Sequence, residues 1–399
     1  MSAPWPLWQR ITFRFAVVYW LCYIFLTEWR APVVWAARQF FGITITVFPA
    51  GSGDTTFNYI QVLLLFVTAA SGALLWSVTG RRTDYATLHD WFRVLLRYWL
   101  AAVLLSYGMA KVFKAQFPFP APERLLQAYG ESAPMGLLWT FMGYSRPYNL
   151  FTGLAEVIPG VLLIFRRTTT LGALLAMGVM ANVVALNFCY DVPVKLLSSH
   201  LLLTAVVLVL PETKRLLDVF VRNRSAEAVH LDPPYQRPWM RKTATVLQAL
   251  VLIGLLAAET YQGYVGEREW GDLAPKPALA GVYHVQEFSS NGRTYEYPET
   301  HHLAWRYFTI GRSGGAVLRM NGSLERMRLK VDTSTRLILA NQGESAFTWK
   351  YTEPDATHLE VSGDLEGEHF SARLRRMNDR EFPLINRGFH WISEFPFNR

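Results

Sequence analysis

The sequence predicts a multi-pass α-helical membrane bundle of about seven spans, followed by an extracytoplasmic antiparallel β-barrel or sandwich domain. Three observations carry that prediction. Hydrophobic residues make up 51% of the 399, and 14 Trp sit among 14% aromatics, the profile of a bundle with interfacial rings. Apolar windows near the ~20 residues a span requires are concentrated before residue 260. From Leu279 onward the period changes, and short β-rich runs alternate with turn signals.

The windows fall at about 11–29, 56–79, 92–113, 148–166, 169–189, 194–211 and 243–261. The first is long, aromatic and carries Arg14, and no small-x-small cleavage site follows it, so it reads as a retained helix rather than a signal peptide. A weaker stretch, Ala31 to Ala50, contains Arg38 and reads as an interfacial or re-entrant segment; counting it as a span would give eight. The resulting division is 1–90 for the first spans, 91–212 for a membrane core, 213–242 for a connection and 243–261 for the last span. A Gly- and Pro-containing tether at 262–278 then leads to a β domain at 279–399. The connection combines an amphipathic turn (Leu216, Leu217, Val219, Phe220, Val221) with a Pro-rich linker, Asp232 to Pro238.

Basic residues gather in three loops: Arg81–Arg82, Arg166–Arg167, and the 212–242 connection. Placing all three inside, in a bacterial-type inner membrane, requires a cytoplasmic N-terminus and an extracytoplasmic C-terminus. The net charge of +8 is accounted for by these loops, and no nucleic-acid partner is expected. The partner expected throughout is the lipid bilayer.

In the β domain, Asn291-Gly292 and Asn321-Gly322 stand between β-rich runs, a strong hairpin signal because a type I′ turn needs positive φ at both central residues. Arg326 to Val331 and Phe370 to Arg375 alternate apolar and basic residues, so one face is expected inside and the other in water. The opening Leu279-Ala-Gly-Val-Tyr283 and the meander layout resemble a lipocalin-type barrel, which either holds one small apolar ligand or is filled by its own side chains. The aromatic closing stretch, Asn386 to Arg399, is expected to pack against something.

Only Cys22 and Cys189 are present, with no CxxC, so they read as structural thiols. No zinc-type spacing appears, and His284, His301, His302, His358, His369 and His390 are scattered; no metal is expected.

The candidate chemistry lies inside the apolar windows, where a charged side chain costs roughly 2.5–3.5 kcal/mol and normally faces a bundle interior. Tyr107, Lys111 and Lys114 share one helix face at i, i+4 and i+7. Glu156 precedes the helix-kinking Pro159, and Lys111 is its natural partner because each offsets the other's burial. Asn182, Asn187, Asp191, Lys195 and His200 follow; Asp191 and Lys195 read as rim residues. The expected chamber is therefore Lys111, Glu156, Asn182 and His200, with Tyr107 beside it and Lys114, Asn187, Asp191 and Lys195 as secondary candidates. A structural ion pair is the competing reading.

Tyr-Gly-Met-Ala-Lys111, Gly-x-x-Glu156, Arg-Arg-Thr168 with the following Leu171-Gly172, and the Asn-bearing span after them resemble the DoxX/DoxD-like membrane family over about residues 95–212. The resemblance implies a four-helix membrane core, with the family's Lys and Glu at Lys111 and Glu156. It also implies association with quinone-linked or thiol-related redox systems. The extra N-terminal spans and the β domain depart from the minimal family. Three functions follow as expectations: a redox-associated protein binding a quinone or other lipid-soluble carrier in the chamber; a non-enzymatic envelope protein whose β domain captures a lipid or partner; and a transporter. The first needs electrons from a membrane redox partner or a bound cofactor, since the chain shows no redox centre of its own. Whether the chain is an enzyme is left open.

Overall fold

The computed structural model of the chain describes residues 5–26, 29–46, 52–226, 237–295, 301–312 and 314–398. Its helices, in chain order, are α1 (Leu7–Phe25), α2 (Arg30–Phe41), α3 (Thr56–Thr79), α4 (Ala86–Val112), α5 (Pro122–Leu126), α6 (Pro134–Tyr144), α7 (Arg146–Ile164), α8 (Thr169–Cys189), α9 (Lys195–Val209), α10 (Thr213–Phe220), α11 (Pro238–Glu269) and α12 (Pro383–Asn386). They belong to two units: Met1–Phe117 with Ser145–Glu267, and Pro118–Tyr144 with Arg268–Arg399.

The first unit is the helical bundle. Among the described residues, six of its helical runs are long and apolar enough to cross a membrane, and α1 with α2 adds a seventh if that bent pair is one span. The seven predicted windows therefore each meet a helix. Local chemistry sets several ends: Thr55 caps α3 by accepting the Asn58 N–H at 3.4 Å, and the Asn58 side chain returns the bond to the Thr55 N–H at 3.1 Å. Ser145 caps α7, accepting from the Tyr148 N–H at 3.3 Å.

The tightest helix pair is α4 with α7, and its cause is glycine. A Cβ on Gly108 would lie 2.7 Å from Val157 Cγ2 and 2.9 Å from the Gly153 carbonyl; one on Gly153 would lie 2.8 Å from the Gly108 carbonyl. Without side chains at these points the two backbones touch, the small-residue device by which membrane helices associate. Leu96, Leu100, Ala101, Leu104, Leu163 and Ile164 fill the rest of the core, together with Phe13, Val17 and Trp20 of α1.

Helix α11 runs past the predicted span end to Glu269, so Gly263 and Gly266 lie in the helix and not in a tether. The reason is again contact: a Cβ at Gly263 would sit 2.4 Å from Phe113 Cδ2. The amphipathic turn is present as α10. Most of the Pro-rich linker, 232–236, lies outside the described residues.

The second unit is a closed barrel. Its strands are β1 (Gly281–Ser290), β2 (Arg293–Tyr295), β3 (Trp305–Ile310), β4 (Gly315–Arg319), β5 (Leu324–Asp332), β6 (Leu337–Gln342), β7 (Ser345–Thr352), β8 (His358–Leu365) and β9 (Glu368–Arg376). β1 and β3 to β9 form an antiparallel meander that β1–β9 pairing closes, while β2 is a short hairpin arm on β1. Closure leaves the eight strands without a free edge. Asn291 (φ 49°) and Gly292 (φ 83°) both take positive φ, as a type I′ turn demands; in the second Asn-Gly turn only Gly322 (φ 88°) does.

The predicted alternation is present: Met327, Phe370, Ala372 and Leu374 are buried, while Arg326, Arg328, Lys330, Ser371 and Arg373, which alternate with the apolar positions, are exposed. Trp305, Phe308, Trp349 and Phe370 interlock inside, with ring centroids 4.8–6.1 Å apart. The interior is thus filled by the barrel's own side chains. A recess near Phe288 and Trp305 holds only about 30 Å³, room for little more than a water. Residues 118–144 belong to this unit: the Phe119 N–H donates to the Asp272 carboxylate at 2.6 Å, and Arg326 donates to Gln127 Oε1 at 3.0 Å.

The described part of the closing stretch does not close the barrel, which the β1–β9 pairing closes. Phe389, Trp391, Ile392 and Phe395 are exposed, Trp391 to 91%; Phe389 and Trp391 meet edge to face, and Arg387 lies over the ring of Phe397. Helix α12 ends at Asn386, where the stretch begins, and none of its described residues pairs in a strand, so no regular element draws its rings into the barrel core.

The glycine contact is testable. Gly153→Val forces α4 and α7 apart and is expected to destabilise the protein by ~1–3 kcal/mol, read as a lowered Tm of the detergent-purified full chain. Gly178→Val, where a Cβ meets nothing within 4 Å, is expected to leave Tm nearly unchanged.

Candidate functional site

One helical turn beyond each of the touching glycines stands a charge. Lys111, on α4 three residues after Gly108, donates to Glu156 Oε2, on α7 three residues after Gly153, at 2.7 Å. Both are buried, at 8% and 2% exposure. The close helix crossing sets this distance, because neither side chain has room to swing away. Lys111 Nζ also reaches the Tyr107 carbonyl at 3.4 Å and lies 5.7 Å from the Tyr107 ring centroid, in cation–π range. Tyr107 itself is 39% exposed, so the ring separates the buried pair from the surroundings.

His200, on α9, forms the second half of the site. Its Nδ1 is 2.6 Å from the Leu196 carbonyl and its Nε2 is 2.6 Å from the Tyr19 hydroxyl on α1. A carbonyl only accepts, so Nδ1 carries the proton, and in the neutral ring Nε2 accepts from Tyr19. Tyr23 stacks on the imidazole at 4.2 Å with an interplanar angle of 4°. Trp20 donates to Thr204 Oγ1 at 3.0 Å, and Thr204 donates to the His200 carbonyl at 2.7 Å. The imidazole is therefore fixed at both nitrogens and on one face.

The two halves adjoin. Tyr107 lies within electrostatic range of Glu156, and Tyr23 within range of both Tyr107 and Tyr19. The Lys111–Glu156 pair with Tyr107, and His200 with Tyr19 and Tyr23, are thus two polar groups within electrostatic range of each other, with no described hydrogen bond between Tyr107 and Tyr23. Every member is a proton donor or acceptor, and Tyr107 is partly exposed.

Comparison with known proteins adds a relative. Over 124 residues, 31% of its length, the chain is 36% identical to "Uncharacterized protein YwoB" of Bacillus subtilis (strain 168), and the match spans 79% of that protein. The chain belongs to the YwoB family. No family model matches it, and no solved structure matches it significantly.

Other predicted residues of this YwoB-family chain lie apart from these two groups. Asn182 is on the exposed face of α8: the buried stripe is Gly172, Ala173, Ala176, Met180 and Asn187, and Asn182 sits about 200° round the helix from Met180. It does not join the chamber. Asn187 donates to Ser198 Oγ at 2.9 Å and clips α8 to α9. Lys195 pairs with Asp191 at 2.9 Å and approaches Asp54 at 3.8 Å. Asp54 also accepts the Lys195 and Leu196 N–H groups at 2.7 and 3.0 Å, a carboxylate cap on α9. Lys114 is buried just beyond the end of α4 with φ 54°, not extended to the rim.

Sequence reasoning missed Tyr19, Tyr23, Trp20 and Thr204. In a membrane helix, aromatics read as interfacial rings, and nothing local to α1 signals a histidine on α9. In the barrel, His301 Nε2 and His302 Nε2 lie 3.6 and 4.0 Å from the Glu368 carboxylate, a group whose ligand atoms are close enough to hold a metal ion although the sequence predicted none. Nδ1 of His301 is engaged by the Leu303 N–H at 3.3 Å. His358 and His369 pair separately with Asp355 and Asp364. Burial, with Arg375 and Arg306 beside it, holds His284 below the ordinary imidazole range.

Tyr19→Phe strands the buried His200 Nε2 and is expected to cost about 1–3 kcal/mol. Tyr23→Phe preserves the stacked ring and is expected to cost less. Thermal unfolding of the two variants in one detergent measures the difference.

Proposed function

We propose that this chain is a redox-associated inner-membrane protein that binds a lipid-soluble carrier of the quinone type beside Tyr107, with Lys111 and Glu156 behind it. The observation that carries the reading is the 2.7 Å Lys111–Glu156 pair, buried beside partly exposed Tyr107. Charges at this depth are costly and ordinarily serve a site. A quinone accepts hydrogen bonds through its carbonyl oxygens and takes up protons when reduced. Lys111, Tyr107 and Tyr19 supply donors, and Glu156 and His200 can hold or pass protons. The resemblance of residues 95–212 to the DoxX/DoxD-like family points the same way.

The chain's part in this reading is binding and proton handling; electrons come from a membrane redox partner. The distribution of basic loops supports a cytoplasmic N-terminus and an outside barrel in this reading. We assign the barrel contact with that partner or another envelope component, since its interior is occupied by Trp305, Phe308, Trp349 and Phe370 and has little space for a lipid.

Solvent extraction of the detergent-purified full chain, followed by mass spectrometry, is expected to recover a quinone in near-stoichiometric amount. Glu156→Gln and Lys111→Met are expected to lose most of it, about tenfold or more, while Asp191→Asn at the exposed rim keeps it. Equal recovery from all three variants, or none from the unmodified protein, contradicts the reading.

A further inference from the structure

A second polar region lies in the helical unit, built from residues the carrier site does not use. A cavity of about 550 Å³ is lined by Arg93 and Arg97 of α4, Arg166 and Arg167 between α7 and α8, and Arg215 of α10. Its size is that of an ordinary small-ligand site. Five guanidinium groups there face two carboxylates, Asp90 and Glu212.

The arrangement of those charges is unusual. Glu212, 7% exposed, is already held between Arg215 at 2.6 Å and Arg93 at 3.7 Å. Arg97 is buried and caps the end of α7, donating to the Leu163 and Ile164 carbonyls at 2.9 and 2.8 Å. Arg166 is within electrostatic range of both Arg93 and Arg97, so like charges are gathered. Among the described residues, Arg166 and Arg167 have no ion-pair partner. They also occupy the first turn of the helical run Arg166–Cys189, whose positive dipole end adds to the field. Thr169 and Thr170 of the same run complete the polar wall.

We propose that this cavity is a phosphate-binding site. Clustered arginines bind phosphate bidentately through paired N–H donors, and an anion there relieves the repulsion the fold otherwise carries. Two sources present that chemistry: the headgroup of an anionic phospholipid, or free phosphate. The same wall carries Leu216, Val219 and Phe220 of amphipathic α10, of which Val219 and Phe220 are exposed, giving acyl chains an apolar rest beside the arginines.

The test uses the full chain in neutral detergent, titrated with phosphatidylglycerol, phosphatidylcholine or inorganic phosphate, read by native mass spectrometry and Tm. Preferential retention of phosphatidylglycerol, weakened about tenfold in Arg166→Gln/Arg167→Gln, is the expected result and identifies the lipid as the source. If inorganic phosphate raises Tm in the unmodified protein but not in the double variant, and phosphatidylglycerol is held no better than phosphatidylcholine, the phosphate site stands and its source is free phosphate. These two side chains make no described ion pair, so the variant should fold, which its Tm in phosphatidylcholine checks. Lys214→Gln, on α10 but outside the cavity lining, controls for surface charge. Equal retention of both lipids with no effect of phosphate, or unchanged binding in the double variant, overturns the proposal.

Discussion

The bundle is organised by the close approach of α4 and α7, and by the ion pair that this approach encloses. Gly108 and Gly153 let two backbones meet, and the pair one turn further on is held at 2.7 Å. A buried pair of this kind rarely adds net stability over a hydrophobic contact of equal volume. Its cost is tolerated because removing either partner alone is worse, leaving one uncompensated charge. That asymmetry makes the pair a constraint on the crossing rather than an adhesive.

At and beside that crossing lie the two polar groups, within electrostatic range of each other. Tyr107 covers the pair, Tyr23 and Tyr19 come from α1, and His200 from α9 is locked by a carbonyl on one nitrogen and a hydroxyl on the other. α1 is thereby part of the core, packing with α3, α4, α8 and α9 residues in one cluster. The proposed proton handling rests on these hydrogen-bond donors and acceptors, with the ring of Tyr107 partly exposed beside them. The arginine-lined cavity is built on a different principle, an excess of one charge sign around open space. The two regions invite different ligands.

How much of this was legible in the sequence follows from what each signal encodes. Lys111, Glu156 and His200 could be found because an ionisable group in an apolar window reports its own depth. Depth says nothing about direction around a helix, which is why Asn182 was expected inside and lies outside. The small-residue stripe Gly172, Ala173 and Ala176 held that information, since its spacing marks the packed face. Tyr19 and Tyr23 were hidden because their partner is more than 170 residues away and aromatics are ordinary in membrane helices. The barrel was readable because strand alternation and Asn-Gly turns are local. The exposed closing aromatics were not, because local composition cannot say whether a ring finds a surface to cover.

The central claim, that Lys111 and Glu156 form one buried unit, is most directly tested by a double-mutant cycle on thermal unfolding of the full chain, using Lys111→Met, Glu156→Gln and both together. Each single change is expected to cost about 3–5 kcal/mol, and the double considerably less than their sum, because it leaves no orphaned charge. Additive losses would show that the two side chains do not interact and would contradict the account.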